Sequence, residues 1–260
     1  MKRIIKDIKK YRGYLLYSAK ADLKAEVSSS YLNWIWWVLE PLCMMFIYAF
    51  IFGVIFNASE QYFSIFIFIG LTMWNFFNKT VTYSVKSVKS SKSVVSKVYI
   101  PKYLLIFKKM MVNAFKMMVS FGIIFLMMIF FRIPPAWNML WWILIVLTMF
   151  ILTFAISVHL QHFGVYIEDL DNVIRIVLRL VFYMSGIFYN IETRAPIPYN
   201  EILLKGNPMA ILLDSMRKAL LYNESINWVI ILMILIISLL ISIWGINRIY
   251  KNENGYAKVI

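Results

Sequence analysis

Long apolar runs separated by short basic or polar segments dominate this chain, and their spacing sets the elements to expect. Six runs are long enough, or nearly so, to cross about 30 Å of hydrocarbon as helices. They lie near 33–56, 62–78, 112–131, 137–160, 173–190 and 226–247, the second and fifth being the shortest. Ahead of them, Ile4, Ile5, Ile8, Tyr11 and Leu15 recur at helical spacing among lysines. That pattern predicts an amphipathic helix lying flat on the inner leaflet, its basic side toward anionic headgroups; a solvated basic tail is the alternative. After the second run, Val81, Val85 and Val88 share one helical face and Lys86, Lys89 and Lys92 another. The second span is therefore expected to continue beyond the membrane as an amphipathic helix. Pro101 then works against helix at residue 100.

Composition agrees with the runs. The 260 residues are 62% hydrophobic, 17% aromatic and 15% charged, with a mean hydropathy of +0.72. Soluble domains average about 45–50% apolar and about 25% charged residues, so this is an integral membrane protein. A net charge of +14 would suit nucleic acid. The basic residues, however, sit in blocks between apolar runs, as membrane topology requires. Segments 1–32 and 79–111 hold eight Lys or Arg each, whereas the first intervening loop has none and 132–136 has only Arg132. Both termini are thus expected in the cytoplasm, together with 163–172 despite its Glu168, Asp169 and Asp171. The first apolar run begins too far into the chain for a cleaved leader to be expected. Cys43 is the single cysteine, so no intrachain disulfide forms. No GxxxxGK[ST] phosphate loop occurs, and 1–32, 79–111 and 191–225 are too short for an ATP-binding domain. If ATP drives this protein, another chain binds it.

Candidate chemistry is sparse. In YLNWIWWVLEPLCMMF (31–46), Glu40 lies about 10 Å into the first span behind Trp34, Trp36 and Trp37. One reading is an ordinary aromatic belt with a snorkelling glutamate. The other is a polar entrance, where indole faces stack on sugar rings and Glu40 accepts hydroxyl hydrogen bonds. Arg175 and Arg179, one turn apart, suit either a lipid pyrophosphate or inner-leaflet anchoring. His159 and His162 are the only histidines, and nothing nearby completes a usual metal site, so no metal is expected. Asn207-Pro208 reads as a helix start, with Ile211, Leu212, Met216 and Leu220 following at helical spacing.

Taken in order, several segments resemble the permease subunits of ABC-type exporters of teichoic acids, O-antigens and related glycans. Asp22, Leu23, Lys24, Ser30, Leu32, Trp36, Pro41 and Leu42 match an opening pattern RDLK-x-RY-x-x-S-x-LG-x-x-W-x-x-x-x-PL. Asn33 stands where glycine is usual, and Glu26-Val27 where a basic-aromatic pair is usual. Gly70, Trp74, Phe76, Ser87, Lys97, Val98, Tyr99 and Pro101 follow the second span and loop. Asp169, Leu170, Ser185, Ile187 and Tyr189 follow the fifth, with Glu168 replacing arginine and Gly186 replacing proline. Asn207, Pro208 and Arg217 fit NPM-x(8)-R.

The resemblance implies an all-α membrane protein with six transmembrane helices, an N-terminal interfacial segment over 1–32 and a permease domain over 33–260. Re-entrant outer gate helices over 191–225 precede the last span, with Asn207, Pro208 and Arg217 at the gate. The implied cargo is a glycan on a polyprenyl pyrophosphate, passing Trp34, Trp36, Trp37, Glu40, Arg175, Arg179 and Tyr183. Val94, Lys97, Val98, Tyr99, Ile100 and Pro101 are the implied ATPase-coupling residues. The chain is then a homodimer with two ATP-binding subunits, which carry the ATP and magnesium, in the cytoplasmic membrane. No cofactor is bound by this chain and no nucleic acid is engaged. The rival readings are a permease for drugs or small lipids, which calls for an aromatic-poor pathway, and a membrane glycosyl- or acyltransferase. The latter would have to use the cluster at 159–171, which lacks a transferase pattern.

Overall fold

A computed structural model describes residues 2–28, 31–56, 60–92 and 98–259. Val94 and Lys97 of the expected coupling segment lie outside them. The described residues are helical, with no strand among them. Helix α1 (Lys2–Val27) leads to α2 (Trp36–Tyr48), which carries Pro41 within it and continues as wider turns over Ala49–Ile55. Then come α3 (Phe63–Ser90), α4 (Tyr103–Phe130), α5 (Trp141–Tyr166) and α6 (Leu170–Met184). Three short helices follow, α7 (Ile191–Arg194), α8 (Tyr199–Gly206) and α9 (Pro208–Arg217), and α10 (Trp228–Val259) ends the chain.

Among the described residues, four stretches are long and apolar enough to cross a membrane: Asn33–Ile55, Tyr103–Phe130, Trp137–Tyr166 and Trp228–Glu253. Helix α3 is the centre of the bundle. Its opening turns, Ile65 through Trp74, are buried on every side, and α4 and α5 pack along it. At its far end Val81, Val85 and Val88 face inward, as their spacing predicts, and the helix runs unbroken to Ser90. A Cβ at Gly164 would sit 2.0 Å from the Val85 carbonyl oxygen, so α5 meets α3 backbone to backbone there.

Helix α1 turns Ile4, Ile8, Tyr11, Tyr14 and Leu15 onto the protein, where α4 supplies the apolar partner. Two expectations change. The third span begins at Tyr103, not near 112, since the basic residues at 108–116 find acidic partners on α1. The fifth helix stops at Met184 instead of 190, and its 15 residues rise only about 22 Å. Gly186 adopts φ +65°, a left-handed turn that glycine takes without strain and that ends the helix.

Ion pairs bring the basic loop and its acidic neighbour to one end of the bundle. Lys86 Nζ lies 2.9 Å from Asp171, and Lys89 Nζ 3.9 Å from Glu168. The acids at 168–171 thus sit beside the lysines they had seemed to contradict. At the same end, Tyr99 Oη donates to Glu253 at 2.6 Å, and Asp7 accepts from Tyr103 at 3.3 Å and also from Tyr250. The start of α1, the loop before α4 and the last turns of α10 are joined there.

Candidate functional site

Two adjoining cavities open between α2, α3, α4 and α6, sharing Trp74, Lys79, Asn113, Lys116 and Phe182 in their walls. The smaller, about 290 Å³, is walled by Trp37, Glu40, Pro41 and Tyr48 on α2 and by Leu71, Thr72 and Asn75 on α3. Glu40 meets Lys79 Nζ at 3.4 Å, and the Trp37 indole packs edge-on against Phe115 at 5.4 Å. The Asn113 amide donates to Thr80 at 2.9 Å. Its Oδ1 and the Thr72 hydroxyl are buried in this wall without a partner among the described residues. Such orphaned groups cost on the order of 1–3 kcal/mol each unless something supplies a hydrogen bond.

The larger cavity, about 740 Å³, is cationic. Lys79, Lys109, Lys116, Arg175 and Arg179 line it, and Glu26 is the one acidic residue in its wall among the described residues. Asp171 holds Arg175 at 3.1 Å. Its carboxyl lies below the usual carboxylate range because Lys86 donates a hydrogen bond to it, outweighing the burial that would raise it, and Arg175 adds to the effect.

From this cavity an aromatic series leads along the bundle. Trp74 meets Phe182 at 5.3 Å, Phe182 meets Phe188 at 5.2 Å, and Phe188 stacks on Phe52 at 4.5 Å and 7°. Tyr48 closes on Phe188 at 4.7 Å and Phe56 follows Phe52 at 5.5 Å.

Beyond the series, α9 grips the broken end of α6. The Asn207 side chain caps its own helix, accepting from Met209 N at 3.0 Å and Ala210 N at 3.4 Å, with Pro208 in the first turn as the sequence predicts. Its amide donates to the Ser185 hydroxyl at 3.0 Å and the Met184 carbonyl at 3.3 Å. The Arg217 guanidinium donates to the carbonyls of Gly186, Ile187 and Phe66, and lies 3.4 Å over the Phe66 ring. Helix α9 is buried through Met209, Leu212, Leu213 and Met216, whereas no residue of α8 is buried.

A family model described as "ABC-2 type transporter" matches residues 15–221. The chain belongs to that family. As an ABC-2 type transporter chain it is a multi-pass membrane transport subunit, not an enzyme. It is 24% identical over 253 residues to the "O-antigen export system permease protein RfbA" of Myxococcus xanthus, covering 97% of each chain. Two proteins of that name from Klebsiella pneumoniae are likewise 24% identical, over 247 residues, with 95% of this chain and 94% of theirs covered.

Within this ABC-2 transporter chain the residues expected in the pathway divide. Trp37, Glu40, Arg175, Arg179 and Tyr183 converge on the cavities. Trp34, ahead of α2, and Trp36, in its first turn, are exposed and line neither. Of the residues expected to couple, Val98 and Tyr99 are exposed while Ile100 and Pro101 are buried. The histidines separate, His162 bonding Tyr256 at 2.6 Å and His159 meeting the Ile241 carbonyl at 3.1 Å. Sequence reasoning counted Lys79 and Lys109 only as topological charges, and passed over Asn113 and Phe188, whose only signal was a polar or aromatic residue within an apolar run. Nothing in the sequence marked Asp7.

Proposed function

We propose that this chain is the transmembrane subunit of an ATP-driven exporter moving a polysaccharide on a polyprenyl pyrophosphate across the cytoplasmic membrane. The observation that carries the reading is the cationic cavity joined to a wall of orphaned polar groups and an aromatic series. Guanidinium and ammonium groups suit a diphosphate. Thr72 and Asn113 offer bonds to sugar hydroxyls, and ring faces offer sliding contacts for the apolar C–H patches of pyranoses. The names of the related permeases point to the same class of cargo.

On this reading the chain crosses six times, with α3 and α6 as the second and fifth spans and both termini in the cytoplasm. The moderate hydropathy of α3 is tolerated because protein surrounds it. The short α6 is tolerated because Asn207 and Arg217 satisfy its broken end inside protein, the condition for non-helical backbone at membrane depth. Helices α8 and α9 are then the re-entrant outer gate. Two copies form the working unit, since α2 buries only Met45 and leaves Phe46, Ile47, Phe50 and Val54 for a partner or lipid. Two separate ATP-binding subunits, holding ATP and magnesium, dock at Val98 and Tyr99. Their closure is transmitted through the loop before α4, shifting α6 against the gate that holds its far end.

The test is purification of the tagged chain from its native membrane in mild detergent, with a parallel gene deletion. A stoichiometric ATPase partner, and lipid-linked glycan retained inside the deleted cells, are expected. A chain that purifies alone, or cells with unchanged surface glycan, overturns the reading.

A further inference from the structure

The fold places Glu26 in the wall of the cationic cavity. It lies in the last turn of α1, beyond the apolar stripe that docks that helix on α4. Lys116 donates to its Oε2, and Lys109 lies 3.5 Å from its Oε1. Burial works to raise its carboxyl, but Lys116 and Lys109 bring it below the usual range, so it is ionised at neutral pH. Of the five cations in the wall, two have a carboxylate elsewhere, Lys79 with Glu40 and Arg175 with Asp171. Lys109 and Lys116 both pair with Glu26, and Arg179 lines the same wall.

We propose that Glu26 is a resident counter-ion which a diphosphate ester displaces: the ligand takes Lys109 and Lys116 from the carboxylate, adds Arg179, and frees the end of α1. The proposal rests on the cargo reading above for the identity of the ester. Its consequence lies at the other end of the same helix. Asp7 is bonded by Tyr103 and Tyr250, and Tyr11 Oη donates to the Tyr99 carbonyl at 3.1 Å, beside the exposed Val98. Release of Glu26 loosens one end of a helix whose other end holds the loop that meets the ATPase. The presence of cargo is thereby signalled to the motor by exchange of one anion for another. A neutral cargo would leave Glu26 in place.

The experiment uses the full chain with its ATPase in nanodiscs of zwitterionic lipid, titrated with undecaprenyl diphosphate and, separately, with inorganic pyrophosphate. Glu26→Gln removes the competing charge and should tighten the lipid diphosphate roughly fivefold, with a matching rise in unstimulated ATP hydrolysis. Lys109→Gln with Lys116→Gln should weaken it by roughly tenfold or more. The exchanged pair, Glu26→Lys with Lys116→Glu, keeps the ion pair and the fold but should bind no better than the double glutamine variant. Pyrophosphate that competes with the lipid supports a site for the shared headgroup. Pyrophosphate that binds where the lipid does not overturns the lipid source. Binding unchanged or weakened by Glu26→Gln overturns the exchange itself. The export reading fails separately: deleted cells with normal surface glycan reject it even where Glu26→Gln tightens lipid binding.

Discussion

The Arg217 guanidinium donates to the carbonyl of Gly186 at 2.7 Å, joining the end of α9 to the turn at which α6 stops. That turn exposes carbonyls that a continuing helix would have satisfied, and Arg217 answers Gly186 and Ile187 together while reaching Phe66 on α3. A planar, five-donor cation is suited to three acceptors in different directions, and the Phe66 ring beneath it supplies the remaining face.

Arg217→Ala should therefore destabilise the chain by on the order of 3 kcal/mol, because buried carbonyls are left without donors. Arg217→Lys should recover less than half of the loss, since an ammonium cannot span all three acceptors. Gly70→Ala should reproduce part of the effect, its Cβ falling 2.8 Å from Arg217 Nη2. Melting in detergent, followed by tryptophan fluorescence, checks all three. A full rescue by lysine would contradict the clamp.

Val98 and Ile100 should fail in different ways. Val98 is 56% exposed and Ile100 2%. Val98→Asp should leave the chain monodisperse yet lower recovery of the ATPase about tenfold, a loss of about 1.4 kcal/mol. Ile100→Asp should reduce the amount of folded chain itself, since it buries a charge with no partner. Size-exclusion profiles and co-purification yields separate the two outcomes.

Phe188→Leu should keep the packing, at a stability cost below about 1.5 kcal/mol, while removing the ring that joins Phe182 to Phe52. Export of glycan to the cell surface should fall severalfold at normal expression. Unaltered export would remove Phe188 from the pathway.

The Asp171 pair should leave a pH signature. Its carboxyl is depressed in the folded chain by Lys86, so the stabilisation is complete above the ordinary aspartate value of about 3.9 and is lost as pH falls through the lower folded value. The difference in melting temperature between the wild type and Asp171→Asn should stay constant from pH 7 to about 5 and shrink below about 4. A difference that grows as pH falls would reverse the sign and rule out the pair.

Periodicity and local chemistry made much of this molecule legible from its residues. The extension of α3 to Ser90 followed from valines and lysines on opposite faces, and the non-helical backbone over 98–100 from the ring of Pro101. The start of α9 followed from Asn207-Pro208. These features are written within a few residues of chain, because helix, cap and break are decided by neighbours. The pairing of Glu26 with Lys116 spans 90 positions, Lys86 with Asp171 85, and Tyr250 with Asp7 243. No local pattern encodes such partners. Which cations remain short of an anion, which polar groups are orphaned, and where α6 can afford to end depend on how the helices pack. That packing brings distant residues within a hydrogen bond, and only the tertiary structure decides it.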